Sequence, residues 1–150
     1  LDIWIEGLPV SGGPRESHLN KQTGARWTAK SPAARSWQKH INLMVRLAYR
    51  GPLHDCPMRL HLIAVFPRPK SVPLDVVWMD EKPDDDNVEK PARDALQKVV
   101  ITDDKRIASS HVEKIYAQPG EKPGVHIILE RLVSPYDEAR RMKKGSKRSP

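Results

Sequence analysis

The longest uninterrupted apolar run in this sequence is Leu62–Phe66, and its shortness constrains the fold more than any other feature. A helix that crosses a bilayer needs roughly 20 consecutive apolar residues, so no membrane-spanning role is expected. The run closes a stretch, Met58 to Phe66, in which Leu60, Leu62, Ala64 and Phe66 alternate with Arg59, His61 and Ile63 before Pro67 and Pro69 interrupt it. Alternation ended by proline predicts a strand. The 150 residues, 38% hydrophobic and 5% aromatic, suffice for one modest core in a single domain. Cys56 is the sole cysteine, which excludes an internal disulfide framework and a multi-cysteine zinc site. No signal-peptide pattern is visible, and the expected setting is reducing and cytoplasmic.

Other elements follow from local pattern. Ile3 to Ile5, between Asp2 and Glu6, predicts a short first strand, and Gly7 to Lys30 reads as a long loop. Ser31 and Pro32 signal a helix start, after which Trp37, Ile41, Val45 and Ala48 recur at helical steps until Gly51. Leu74 to Met79 is a further expected strand. Val88, Ala92, Ala95, Leu96 and Val99 share one face of a second helix. Its start is ambiguous, because Asp86 and Glu89 have capping-box spacing while Pro91 falls inside the first hydrogen bonds. Ile107 to Ala117 and Val125 to Leu132 are the last expected strands. The order predicts an α+β domain over residues 1–133, two main helices against a mixed β-sheet, followed by a flexible basic tail over 134–150.

Charge is distributed unevenly. The chain carries +7 overall, with eight Lys and Arg against three acids in residues 1–50 and six against two in 134–150. Between Asp80 and Asp104, by contrast, nine acids face four bases. Basic flanks attract a polyanion through counterion release, and a divalent cation is the economical way to reconcile crowded carboxylates with one. A solvated acidic face between two disordered basic ends is the plainer alternative.

The acidic window reads Lys82-Pro-Asp-Asp-Asp-Asn-Val-Glu-Lys90, then Asp94-Ala-Leu96, then Asp103-Asp104. On an extended stretch Asp84 and Asp86 point the same way, with Asp85 turned from them, and a later acidic pair can close the same cavity. Oxygen ligands favour Mg²⁺ or Mn²⁺. Such a cation activates water and stabilises charge on a phosphate, with Lys90, four residues beyond Asp86, as a point charge. An EF-hand is excluded because no Gly interrupts Asp84 to Lys90. His54, Cys56 and His61 lack a completing zinc spacing and read as structural or exposed; His18, His40, His111 and His126 carry no signal.

The composite of Lys-Pro-Asp84-x-Asp86-Asn87-x-x-Lys90, Asp94-Ala95-Leu96 and Asp103-Asp104 followed by Ile107 resembles the RusA family of Holliday junction resolvases. The resemblance implies that Asp84, Asp86 and Asp104 hold Mg²⁺, with Mn²⁺ as an alternative, and that Lys90 assists phosphodiester cleavage. It also implies an α+β fold, a homodimer acting on four-way junction DNA in recombination and repair, and a bacterial or phage-encoded protein. Pro91, Arg93 and Asp85 depart from the family pattern. Arg15, Lys21, Arg26 and Lys30, in the loop before the first helix, are the expected DNA-binding residues. The alternatives are a branched-DNA or flap nuclease using the same metal site, and a noncatalytic DNA-binding dimer.

Overall fold

A computed structural model of the protein describes residues 1–12 and 16–146. In chain order it contains β1 (Asp2–Glu6), β2 (Glu16–Leu19), β3 (Arg26–Ala29), α1 (Pro32–Ala48), β4 (Met58–Phe66), α2 (Asp85–Leu96), β5 (Ile107–Tyr116), β6 (Gly124–Arg131) and α3 (Pro135–Ser146). The four-stranded sheet has the order β1-β6-β4-β5. β4 runs parallel to β5 and antiparallel to β6, which is antiparallel to β1. The expected α+β class with a mixed sheet is what the chain forms.

The period-2 pattern of β4 explains its central place. Met58, Leu60, Leu62, Ala64 and Phe66 are all buried and, with Val125, Ile127 and Leu129 of β6, form the sheet's inner face. Ala34, Trp37, Ile41 and Val45 of α1, and Val88, Ala92, Ala95 and Leu96 of α2, complete the core. Each fully buried Leu, Ile or Val contributes about 1.5–3 kcal/mol, so packing rather than helix propensity holds the helices down. The helix start expected at Ser31 is present: its hydroxyl accepts from the Ala34 N–H at 3.1 Å, with Pro32 opening the first turn. The Asn42 side-chain amide donates to the Ala95 carbonyl at 3.0 Å and ties α1 to α2.

Several expectations are corrected. The segment Gly7 to Lys30 is not one loop, since β2 and β3 pair as a hairpin within it. Its turn is fixed locally: the Asn20 side chain accepts from the Gln22 and Thr23 amides, and Gly24 adopts a φ of 71°. Leu74 to Met79 is not a strand. Turns at Val72 and Val76 bond back to Pro69 and Pro73, and only Trp78 bridges to Ile115. Within the basic tail expected over 134–150, residues Pro135–Ser146 form a helix, α3, which the sequence pattern did not predict. No helix among the described residues is long and apolar enough to cross a membrane.

Pro91 sits inside α2 at a definable cost. Its missing N–H is the donor that would otherwise reach the Asn87 carbonyl. The backbone N–H of Gly12 takes that role, donating to the Asn87 oxygen at 2.8 Å. A Cβ at Gly12 would lie 2.8 Å from Pro91 Cδ and 3.3 Å from Lys90 Cβ, so the loop backbone rests directly on the helix. Gly12→Ala is therefore expected to destabilise the fold by about 1–3 kcal/mol through overpacking, read as a lower urea midpoint at unchanged slope. An unchanged midpoint would show that the loop does not dock there.

Candidate active site

The acidic segment reaches its position by running along the edge of β5. The Met79 N–H donates to the Lys114 carbonyl at 3.0 Å, and the Tyr116 N–H donates to the Val77 carbonyl at 2.9 Å. The Lys114 ammonium then donates to the carbonyls of Glu81 and Pro83, each at 2.7 Å. This strap ends where Asp84 takes the N-cap position of α2 in extended backbone, with Asp85 and Asp86 in the first turn. The N-terminal amides of the helix form its positive end, which favours carboxylates there.

The start of α2 differs from the capping box expected at Asp86 and Glu89. Glu89 instead binds Arg93 one turn on, at 2.7 Å, which accounts for a charge at position 93. The extended reading of Asp84–Asp86 fails for the same reason. Once the helix begins at Asp85, all three aspartates border one cleft of about 800 Å³, together with Trp78, Met79 and residues His111 to Lys114 of β5. Asp85 is thus not turned away from the site. Asp86 and exposed Lys90 lie one helical turn apart.

Asp104 opens a 3-10 turn, Asp104–Arg106, that packs near α2. Asp103 caps this turn: its carboxylate accepts from the Lys105 N–H at 3.0 Å. That bond first, and a hydrogen bond with Asp104 second, hold the Asp103 carboxyl below the usual carboxylate range. Asp103 thus serves as the cap of the turn, and Asp104 is the residue of the pair that the family resemblance assigns to the cation. The turn is braced by Asp55, which accepts from the Thr102 hydroxyl at 2.8 Å and pairs with Arg106 at 2.7 Å. Asp84, Asp86 and Asp104 offer only oxygen donors, and none of them enters an ion pair among the described residues. That donor chemistry fits a hard divalent cation.

The three side chains whose ligand atoms lie within 4.8 Å of one another among the described residues are different ones: His61, His111 and Glu113. His61 and His111 are register partners on the parallel pair β4 and β5. Glu113 meets His61 Nε2 at 3.2 Å and His111 Nε2 at 3.3 Å. Burial alone would raise the Glu113 carboxyl, but hydrogen bonds from His61 and His111 and their charge outweigh it and hold it low.

Residues 8–130 of the chain match the family model described as Endodeoxyribonuclease RusA. The chain belongs to the RusA family. Membership brings DNA endonuclease activity of the Holliday-junction-resolving kind, in a family of generally divalent-metal-dependent enzymes. Compared with curated proteins individually, the chain matches none.

In this RusA-family chain the expected DNA-binding residues separate into distinct environments. Lys21 is exposed in the hairpin turn, and Arg26 is exposed at the start of β3. Lys30 is instead bound to Asp94 at 2.8 Å and to the Gln38 side chain, with 19% of its own side chain exposed. Its charge is spent inside the fold, and Asp94 is its structural partner. Arg15 lies outside the described residues. Sequence reasoning passed over His111, Glu113 and Lys114; the His-x-Glu spacing on a predicted strand was the available signal for the first two. Nothing local marks Lys114, whose partners are backbone carbonyls.

Replacing Lys114 tests the strap. Lys114→Met is expected to lower stability by about 1.5–3 kcal/mol, the range for hydrogen bonds involving a charged group, and to speed amide exchange at Asn87 and Val88, which donate to the Asp84 carbonyl. Exchange in α1 should be unaltered. Unchanged exchange at Asn87 and Val88 would show that Lys114 does not hold the start of α2.

Proposed function

We propose that this chain is a Mg²⁺-dependent endodeoxyribonuclease, with Mn²⁺ as a substitute, that cuts four-way DNA junctions in recombination and repair as a cytoplasmic homodimer. The observation that carries the reading is the placement of Asp84 and Asp86 at the start of α2, in a cleft bordered by β5, with Lys90 one turn along the same helix. Asp84, Asp86 and Asp104 are the residues assigned to the cation. Mg²⁺, when bound, supplies charge stabilisation at the phosphate and activation of water. Lys90 provides a positive charge for the scissile phosphate. The acids themselves repel DNA until neutralised, so binding must come from elsewhere.

Two basic surfaces serve that need. The β2–β3 hairpin carries Lys21 and Arg26, and both ends of the segment that bears it meet α2: Gly12 at the Asn87 carbonyl, Lys30 at the Asp94 carboxylate. Arg131, Arg140, Lys143 and Lys144 border a second cleft of about 710 Å³ in which Asp137 is the acid. Both are suited to phosphates on either side of a cut. Closed two-fold symmetry supplies two equivalent sites for paired incisions, and Leu43 and Leu47, exposed one turn apart on α1, offer an apolar patch for the second copy.

The test compares Asp86→Asn with Lys90→Ala on one synthetic four-way junction, by gel-shift affinity in chelator and single-turnover cleavage in Mg²⁺. Asp86→Asn is expected to slow cleavage by about 10²–10³-fold or more while binding at least as tightly as wild type, because a repulsive charge is gone. Lys90→Ala should slow cleavage and slightly weaken binding. Wild-type cleavage by Asp86→Asn, or lost binding in a folded variant, would make the acidic segment structural.

A further inference from the structure

We propose that His61, His111 and Glu113 form a binding site for one divalent transition-metal ion of the Zn²⁺ type, separate from the aspartate set. The donors are two imidazole nitrogens and a carboxylate, the combination that suits zinc and its neighbours rather than Mg²⁺, which requires an octahedron of oxygens. Their spacing agrees with that chemistry. Bonds of about 2.0–2.1 Å to a tetrahedral ion set its ligand atoms about 3.3–3.4 Å apart along each edge. Glu113 meets each ring with a different oxygen, Oε2 at 3.2 Å from His61 Nε2 and Oε1 at 3.3 Å from His111 Nε2, and one ligand atom from each of the three side chains lies within 4.8 Å of the others.

The backbone fixes this arrangement. His61 and His111 are direct partners across the parallel β4–β5 pair, with ring centroids 5.1 Å apart. Glu113 is two residues beyond His111 on β5, so the pleat returns it to the same face. Three ligands on adjacent strands of one sheet are held at low entropic cost, since the strands are already paired in the core. Three protein ligands also leave a fourth position open, as in zinc sites that exchange water or substrate.

The surroundings place the ion at a junction of two hollows. His111 and Glu113 border the cleft that holds Asp84–Asp86, while His61 and His111 border a smaller one of about 320 Å³ with Arg59 and Glu130, whose charges oppose each other. A bound ion adds a fixed positive charge to the wall of an otherwise acidic cleft. It also links β4 to β5 through side chains, so ligand binding to the native state raises its stability by mass action.

The site can be read without any activity measurement. Full-length protein in millimolar Mg²⁺ is titrated with Zn²⁺ by calorimetry, and its thermal midpoint is recorded with and without Zn²⁺; Co²⁺ absorption reports the coordination number. Wild type should take up one Zn²⁺ per chain despite Mg²⁺, gain thermal stability and give tetrahedral Co²⁺ bands. His111→Ala, a change at a side chain 65% exposed and hence safe for folding, should weaken Zn²⁺ binding by more than about 100-fold, beyond the roughly 10–100-fold that loss of an outer partner costs. His61→Ala and Glu113→Gln should do the same, and Asp84→Asn should leave Zn²⁺ uptake unchanged. The proposal is overturned if wild type takes up no Zn²⁺ in Mg²⁺, if folded His111→Ala binds it as wild type does, or if Asp84→Asn abolishes it.

Discussion

The parallel pairing of β4 with β5 is the constraint on which the rest of the molecule depends. Antiparallel neighbours can be joined by a tight turn, whereas parallel ones require a crossover that returns the chain to the starting end of the sheet. Residues 67–106 make that crossover. Along them lie the strap at Val77–Met79, the three aspartates, α2 and the 3-10 turn that carries Asp104. The acids therefore arrive at the sheet edge as a consequence of topology. β5 is an edge strand, and the strap both covers part of that edge and uses it as an anchor.

Two departures from regular helix formation connect the acidic helix to the rest of the chain. Pro91 leaves a carbonyl without its helical donor, and Gly12 satisfies it; Asp94 would be a half-buried charge, and Lys30 pairs with it. The segment that bears the hairpin is thus tied to α2 at Gly12 and at Lys30. Lys30, expected to touch DNA, is paired with Asp94 and makes the second of these ties. Lys30 and Asp94 keep partial contact with water, so the pair fixes geometry more than it adds stability.

How much was legible in the sequence differed from segment to segment for physical reasons. β4 and α1 were readable to the residue or nearly so, because each buries one face and its apolar period reports that face. The β2–β3 hairpin was hidden because Leu19, Lys21 and Arg26 are exposed and its turn is fixed locally by Asn20 and Gly24. Leu74–Met79 looked like a strand because Val76, Val77 and Trp78 are apolar, yet all three are exposed and the proline-bounded turns before them prevent extended pairing. The aspartate motif was visible as composition, but its helical geometry was not, since Pro91 argued against a helix there. His61 and His111 meet only through the β4–β5 register, which no spacing along the chain encodes.

The proposed function requires that acids from two separate turns, Asp86 on α2 and Asp104 on the 3-10 turn, act as one catalytic unit. The most direct measurement is a double-mutant cycle on single-turnover junction cleavage in Mg²⁺, using Asp86→Asn, Asp104→Asn and the pair. Residues that act as a unit show strongly non-additive losses, so the double variant should cleave within about 10-fold of the slower single variant. Cleavage by Asp104→Asn at the wild-type rate, or losses that simply multiply in the double variant, would contradict a shared site.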